Sequence, residues 1–227
     1  MKVSARRAFI LVILCLVVYL PTTSSAQNTI HVPGDSPSIQ SAIFAAQNND
    51  TVLVAPGFYF EPSLNFQGKS ITVMSSGGPS VTTVDSGSQP AALFTSNESN
   101  GAVLRGFTFI HAQGIQIGLA SPIIENNVIS NNEVCQAGGI TASSSNAIIR
   151  GNTITNNRQV CTEPASAGGI VITGFGNVQV LKQHHQWKPD RAGSSGRWHL
   201  YRCSGHDDNF RQQNSEQYRR WGGWRNF

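Results

Sequence analysis

The sequence predicts an all-β solenoid, a coil of short strands, and three observations carry that expectation. The chain repeats itself. Ile123-Ile124-Glu125-Asn126-Asn127-Val128-Ile129-Ser130-Asn131-Asn132 is followed 25 positions later by Ile148-Ile149-Arg150-Gly151-Asn152-Thr153-Ile154-Thr155-Asn156-Asn157. Self-similarity at roughly 20 to 50 residues marks an array in which each repeat buries its apolar face on its neighbours. Each copy then runs through a cysteine-bearing loop to Gly-Gly-Ile, at Gly138-Gly139-Ile140 and at Gly168-Gly169-Ile170. Within the unit, short β runs are broken by Asn and Gly, with no helical period.

In such a coil the alternating Ile and Val side chains point inward and stack coil on coil. Asn127 and Asn152 sit at bends, where an amide can bond to backbone and to the Asn of the next coil. The Gly-Gly pairs are expected to give the following bend its positive φ values. These residues resemble the right-handed parallel β-helix of the pectin-lyase-like superfamily, whose coils carry Asn-Asn-Thr-Ile-Thr-Asn-Asn followed by Gly-Gly-Ile. The resemblance covers roughly Thr29 to Leu181. It implies the fold and says little about activity, because this superfold hosts many functions.

Three segments are expected: a signal peptide (1–26), a β-helix domain (27–181) and a tail with no domain (182–227). Lys2, Arg6 and Arg7, the apolar run Ala8 to Leu20, and the small residues Ser24 and Ala26 form the leader, with cleavage after Ala26. The apolar run is too short to span a bilayer. The mature chain is therefore expected to be secreted, periplasmic or extracellular, with no membrane span.

From Ile30 to Ala55 the chain reads strand, helix, strand. The helix is predicted over about 37–47, with Ser36 as N-cap and Pro37 at its first position. Ile39, Ala42, Ile43 and Ala46 form its apolar stripe. A short amphipathic helix here caps the open end of the solenoid. The block from Val32 to Glu61 also resembles the opening of pectinesterases, including Gly-x-Tyr-x-Glu at Gly57 to Glu61. That resemblance implies structural roles for Tyr59 and Glu61.

Ser70 to Val84, Ala91 to Thr95, Val103 to Ile110 and Ile115 to Ile117 continue the series of β runs. Aligning Val103 to Phe109 with the two strong repeats puts Arg105, Glu125 and Arg150 at one position of three successive coils. Coils lie about 4.8 Å apart, so these charges would stack as plus, minus, plus. Such a ladder is a surface ion-pair array or a substrate contact for a sugar acid, and the first reading is preferred. Cys135 and Cys161 occupy the same loop of successive repeats, which makes them a disulfide candidate in an oxidising compartment.

After Leu181 the composition changes. Residues 182–227 hold all four Trp and four of the six His, and nine Lys and Arg against four acids give +5. Residues 27–181 hold four bases against eight acids, or −4. The genetic code accounts for the change. Back-translated from Lys182 with permitted codons and read one base on, the tail becomes Asn-Asn-Thr-Ile-Ser-Gly-Asn, the repeat motif again. Every TGG codon for Trp shifts to a Gly codon, and all four fall where bends want Gly. The tail is thus predicted to be out of frame, non-native or disordered. The His and Trp residues in it then carry neither a metal site nor a nucleic-acid site.

No catalytic set stands out. Pectinesterase, polygalacturonase and epimerase motifs are absent downstream of the N-terminal block. Asp35, Asp50 and Asp85 are isolated in sequence, and His111 stands alone after a β run. No cofactor, no metal and no nucleic acid is expected. The reading is an exported, non-catalytic β-helix repeat protein that contacts polysaccharide or a cell-envelope component. The alternative is a truncated carbohydrate-active enzyme (polysaccharide lyase, pectinesterase or epimerase type) whose active site lies in missing downstream coils. A third reading resembles the copper-loading β-helix of nitrous oxide reductase maturation, and the shortage of His, Met and free Cys before residue 182 disfavours it.

Overall fold

The computed structural model describes residues 26–134, 138–159 and 169–183, and a strand at Tyr201–Cys203. The expected signal peptide up to residue 25 lies outside the described residues, as do Cys135 and Cys161 and most of the tail.

The chain enters through β1 (Thr29–Val32) and the helix α1 (Ile39–Ala45), then winds through repeated three-strand coils. The first coil is β2 (Thr51–Val54), β3 (Gly57–Phe60) and β4 (Leu64–Asn65), and the second is β5 (Thr72–Ser75), β6 (Thr82–Asp85) and β7 (Ala92–Phe94). The third is β8 (Val103–Arg105), β9 (Thr108–Ile110) and β10 (Ile115–Gly118). The strong repeats follow. One is β11 (Ile123–Glu125), β12 (Val128–Ser130), β13 (Glu133–Val134) and β14 (Ile140–Ser143). The other is β15 (Ile148–Arg150), β16 (Thr153–Thr155), β17 (Arg158–Gln159) and β18 (Ile170–Thr173). The chain continues into β19 (Gln179–Leu181) and β20 (Tyr201–Cys203).

Equivalent strands stack in parallel into three long sheets. The first is β1-β2-β5-β8-β11-β15-β19, the second β3-β6-β9-β12-β16, and the third β4-β7-β10-β14-β18-β20, while β13 pairs with β17. The repeats stack in register: Ile123, Ile124 and Glu125 pair with Ile148, Ile149 and Arg150. Inward positions form continuous files, such as Val52, Val73, Leu104, Ile124 and Ile149, all fully buried. Phe66 and Phe94 stack inside with ring centroids 4.3 Å apart.

Two local expectations are corrected. The helix runs over Ile39–Ala45, shorter than 37–47, and Ser38 is its N-cap in place of Ser36. Ser41 stands at N3, and Ser38 and Ser41 each accept the other's backbone N–H through their hydroxyls, a reciprocal cap that Ser36 has no partner to make. Glu61 accepts the N–H of Ile39 at 2.7 Å, and Lys69 Nζ donates to the carbonyls of Ile43 and Phe44, so both helix ends are satisfied from the first coil. Tyr59 donates its hydroxyl to the Ala55 carbonyl at 2.9 Å, so it too acts within the coil.

Gly139 does not work through φ. Gly139 is absent from the positive-φ residues. A Cβ there would run into the Gly169 carbonyl and come within 2.8 Å of Ile154 Cγ2. Glycine is needed because neighbouring coils approach closely, backbone to backbone. The positive φ values lie instead one residue before the bend amides, at Asn126, Gly151 and Lys182 and at Asn131 and Asn156, and at the equivalent Gly106 and His111 before Phe107 and Ala112.

Candidate functional site

Two ladders of amides tie the coils together and set the frame on which surface groups sit. Between the first and second sheets, Asn127 Oδ1 accepts the N–H of Phe107, Asn152 Oδ1 that of Asn127, and Gln183 Oε1 that of Asn152. The amide nitrogens donate backward, Asn127 to Leu104, Asn152 to Ile124 and Gln183 to Ile149. A second ladder at the following bend runs through Asn132 and Asn157. Asn127 and Asn152 were legible in the sequence. Asn132 and Asn157 stand at the other end of the same repeated run, so the repetition itself was a signal for them.

The three charges that the repeat alignment superposes do meet. Arg105, Glu125 and Arg150 pair in register on β8, β11 and β15. Arg150 donates to Glu125 Oε2 at 2.6 Å, and Arg105 lies 3.5 Å from Oε1. Glu125 is buried between two half-exposed guanidinium groups. Arg105 also points its other nitrogen at Met74 Sδ, 3.2 Å away. The arrangement neutralises Glu125 and leaves one net positive charge on the outer face of the first sheet.

The other buried carboxylates hold backbone. Asp50 accepts the N–H groups of Asn28 and Gln47, and Glu98 those of Gly68 and Ser96. With Glu61 on the helix start, these acids are spent on tying turns together. Among the described residues, no group of three or more His, Cys, Asp or Glu could hold a metal ion.

A feature with no sequence signature is a groove along the turns that connect the third sheet to the first. It has a volume of about 530 Å³ and is lined by Asn97, Glu98, Ser99, Asn100, Ser121, Asn146, Ile148, Asn177 and Gln179. The turns stack through Asn146 Oδ1, which accepts the N–H of Asn177, and Ser145 Oγ, which donates to the Ala120 carbonyl. Most of the lining is amides and hydroxyls contributed by successive coils, with the carboxylate of Glu98 and the apolar Ile148 among them. Leu119 and Phe175, both exposed, stand two residues from Ser121 and Asn177.

His111 is not alone. Its Nδ1 lies 2.8 Å from Asp85 Oδ2, across the step from β9 to β6. Burial pushes the Asp85 carboxyl up. The hydrogen bond to His111, the N–H of Gly87 and the imidazole charge outweigh that and hold it below the usual aspartate value. A second pair, His31 and Asp35, spans the turn after β1 at 2.9 Å.

Residues 91–184 match the family described as right handed beta helix region. No curated protein and no solved structure matches the chain. The three parallel sheets, the in-register repeats and this match together make the protein a right-handed parallel β-helix.

Proposed function

We propose that this β-helix is an exported, non-catalytic protein that contacts polysaccharide or a cell-envelope component through the groove on its stacked turns. The observation that carries the reading is the chemistry of that groove: a lining made mostly of amides and hydroxyls from successive coils, Asn97, Ser99, Asn100, Ser121, Asn146, Asn177 and Gln179. A polymer of hydroxylated rings needs such a row of donors and acceptors, and a solenoid supplies it because each coil adds one more turn. Asn100 and Gln179 line the groove with side chains that make no hydrogen bond among the described residues, so they are free to meet a ligand. Affinity electrophoresis of the full mature chain in gels containing polysaccharide tests this. Retardation that is lost in the Asn100→Ala, Gln179→Ala double variant supports the groove; retardation unchanged by it removes the groove from the account.

A second reading, that of a truncated carbohydrate-active enzyme, is favoured by what occupies positions 182 and 183. Lys182 takes φ +47 in the slot held by Asn126 and Gly151, and Gln183 takes the ladder slot of Asn127 and Asn152. The frame one base on can write Asn-Asn at those two positions with permitted codons. In this reading the protein is specified by a longer β-helix frame, and any catalytic cluster lies in coils that the present reading frame does not encode. Resequencing the gene from the Leu181 codon through several hundred bases decides it. An open plus-one frame that brings in clustered Asp, Arg and His supports the enzyme, and codons unable to spell the repeat sink it.

A further inference from the structure

The outer face of β3 carries two phenylalanines that the fold does not use. Phe58 and Phe60 are 64% and 72% exposed, while Tyr59 between them turns inward. They stand two residues apart on one strand, which sets their Cα atoms about 6.6 Å apart on the same face. β3 is the edge of its sheet, with β6 as its neighbour. An exposed edge usually carries charge or proline, so two large apolar rings there call for a reason.

The surroundings of the rings are mostly polar, with Val81 and Ile110 as apolar neighbours. Phe60 pairs with Asp85 and Phe58 with Thr83 on β6, and Thr83 pairs in turn with Thr108 on β9. The Phe60 ring leans over the Asp85–Gly87 turn: a Cβ on Gly87 would come within 3.0 Å of Phe60 Cζ, and Gly87 has φ +56. Asp85 Oδ1 accepts the Gly87 N–H at 3.0 Å, and Oδ2 faces His111 Nδ1 at 2.8 Å. His111 is mostly exposed, and its Nε2 has no partner among the described residues.

We propose that Phe58, Phe60, Asp85 and His111 form a second binding site, a platform for a neutral hexopyranose polysaccharide. A pyranose ring has an apolar C–H face and a rim of hydroxyls. The phenylalanyl rings cover the face, Asp85 accepts from a hydroxyl, and His111 Nε2 exchanges a hydrogen bond with another. An anionic sugar is disfavoured, since Asp85 sits in the patch and residues 27–181 hold four bases against eight acids. A protein partner fits less well. Each ring offers about 150–250 Å², and around the two rings Asp85, His111, Thr83 and Thr108 leave exposed Val81 and half-buried Ile110 as the apolar neighbours. A stable protein interface needs about 800 Å² per partner.

The ligand class rests on the polysaccharide reading above, but the site does not share a residue with the groove. Retardation of the full mature chain in gels of galactomannan and of mixed-linkage β-glucan, with polygalacturonate for comparison, separates the two. Expected is a loss of at least about tenfold in affinity for the neutral polymers in the Phe58→Ser, Phe60→Ser double variant, with Phe60→Tyr retaining binding. Thermal melts of the variants guard against a folding defect, since both side chains are exposed. Neutral binding that survives the double variant overturns the platform, as does binding of polygalacturonate alone. So does a change of mass in light scattering without a change in glycan affinity, which would mark the patch as a protein interface. Loss only in the Asn100→Ala, Gln179→Ala variant leaves the groove standing and the platform fallen. Loss only in the phenylalanine variant does the reverse, and no retardation in any gel ends both.

Discussion

Adjacent asparagines in the same repeat do opposite jobs. Asn126 is exposed and serves by its positive φ, a slot that Gly106 and Gly151 fill in the neighbouring coils. Asn127 is buried and serves by its amide. Asn126→Gly should therefore change stability by no more than about 0.5 kcal/mol. Asn152→Ala strands the buried N–H of Asn127 and the carbonyl of Ile124, and should cost about 3 kcal/mol in urea unfolding. Equal costs for the two substitutions would contradict the division. The charge triad makes a second residue-scale test. Glu125→Ala should destabilise by only about 1 kcal/mol, because both arginines reach solvent once released. Arg150→Ala should cost more than Arg105→Ala, given separations of 2.6 and 3.5 Å. A Glu125→Ala variant that binds polysaccharide as the parent does would place the triad with structure; one that loses a uronate ligand would revive it as a contact. Ser86 offers the opposite case, since its buried hydroxyl has no partner among the described residues. Ser86→Ala should raise the melting temperature, and a fall would show that the hydroxyl is satisfied in solution.

At the scale of the element, the coil explains why strands of three or four residues persist. A strand this short is not stable alone. Each one inside a sheet is bonded on both sides by the coils before and after it, and its inward side chain continues a file of buried residues. The helix follows the same logic in reverse. With seven residues it is too short to be stable in isolation. It is held by a reciprocal cap from Ser38 and Ser41, by Glu61 at its start and by Lys69 at its end. Glu61→Ala should loosen it while leaving the coils intact, detected as faster amide exchange confined to residues 39–45. Exchange that rises throughout the chain would mean that the helix and the solenoid unfold as one.

For the whole molecule, the two ends differ. The helix packs on β1, β2 and β4, covering the first and third sheets at the N-terminal end and leaving β3 as an open edge. Toward the other end the core thins. Ile124, Ile129, Ile149 and Ile154 are fully buried, whereas Ile170, Ile172 and Val180 are 5%, 7% and 9% exposed. Where a solenoid core is less completely covered, strand edges become accessible to other molecules. The full chain should therefore be marginally soluble, with self-association seen by light scattering as concentration rises. A monomer that stays soluble and melts in one sharp transition would contradict this.

What the sequence by itself determined is the repeat and hence the coil: the 25-residue echo, the alternation of Ile and Val, and the stacking of Arg105, Glu125 and Arg150 all follow from spacing. Periodicity is local information, and a solenoid converts it directly into neighbours, because each residue's contact lies one repeat away. The role of Gly139 was decided by tertiary structure, since close approach of two coils is not visible in either one. So was the cap at Ser38, which depends on Ser41 closing the box. The polar groove and the Phe58, Phe60, Asp85 and His111 patch were also invisible. Their residues come from turns of differing length, 26 positions apart for Asp85 and His111 and 31 for Asn146 and Asn177, where the repeat is broken and only the winding of the chain brings them to one face.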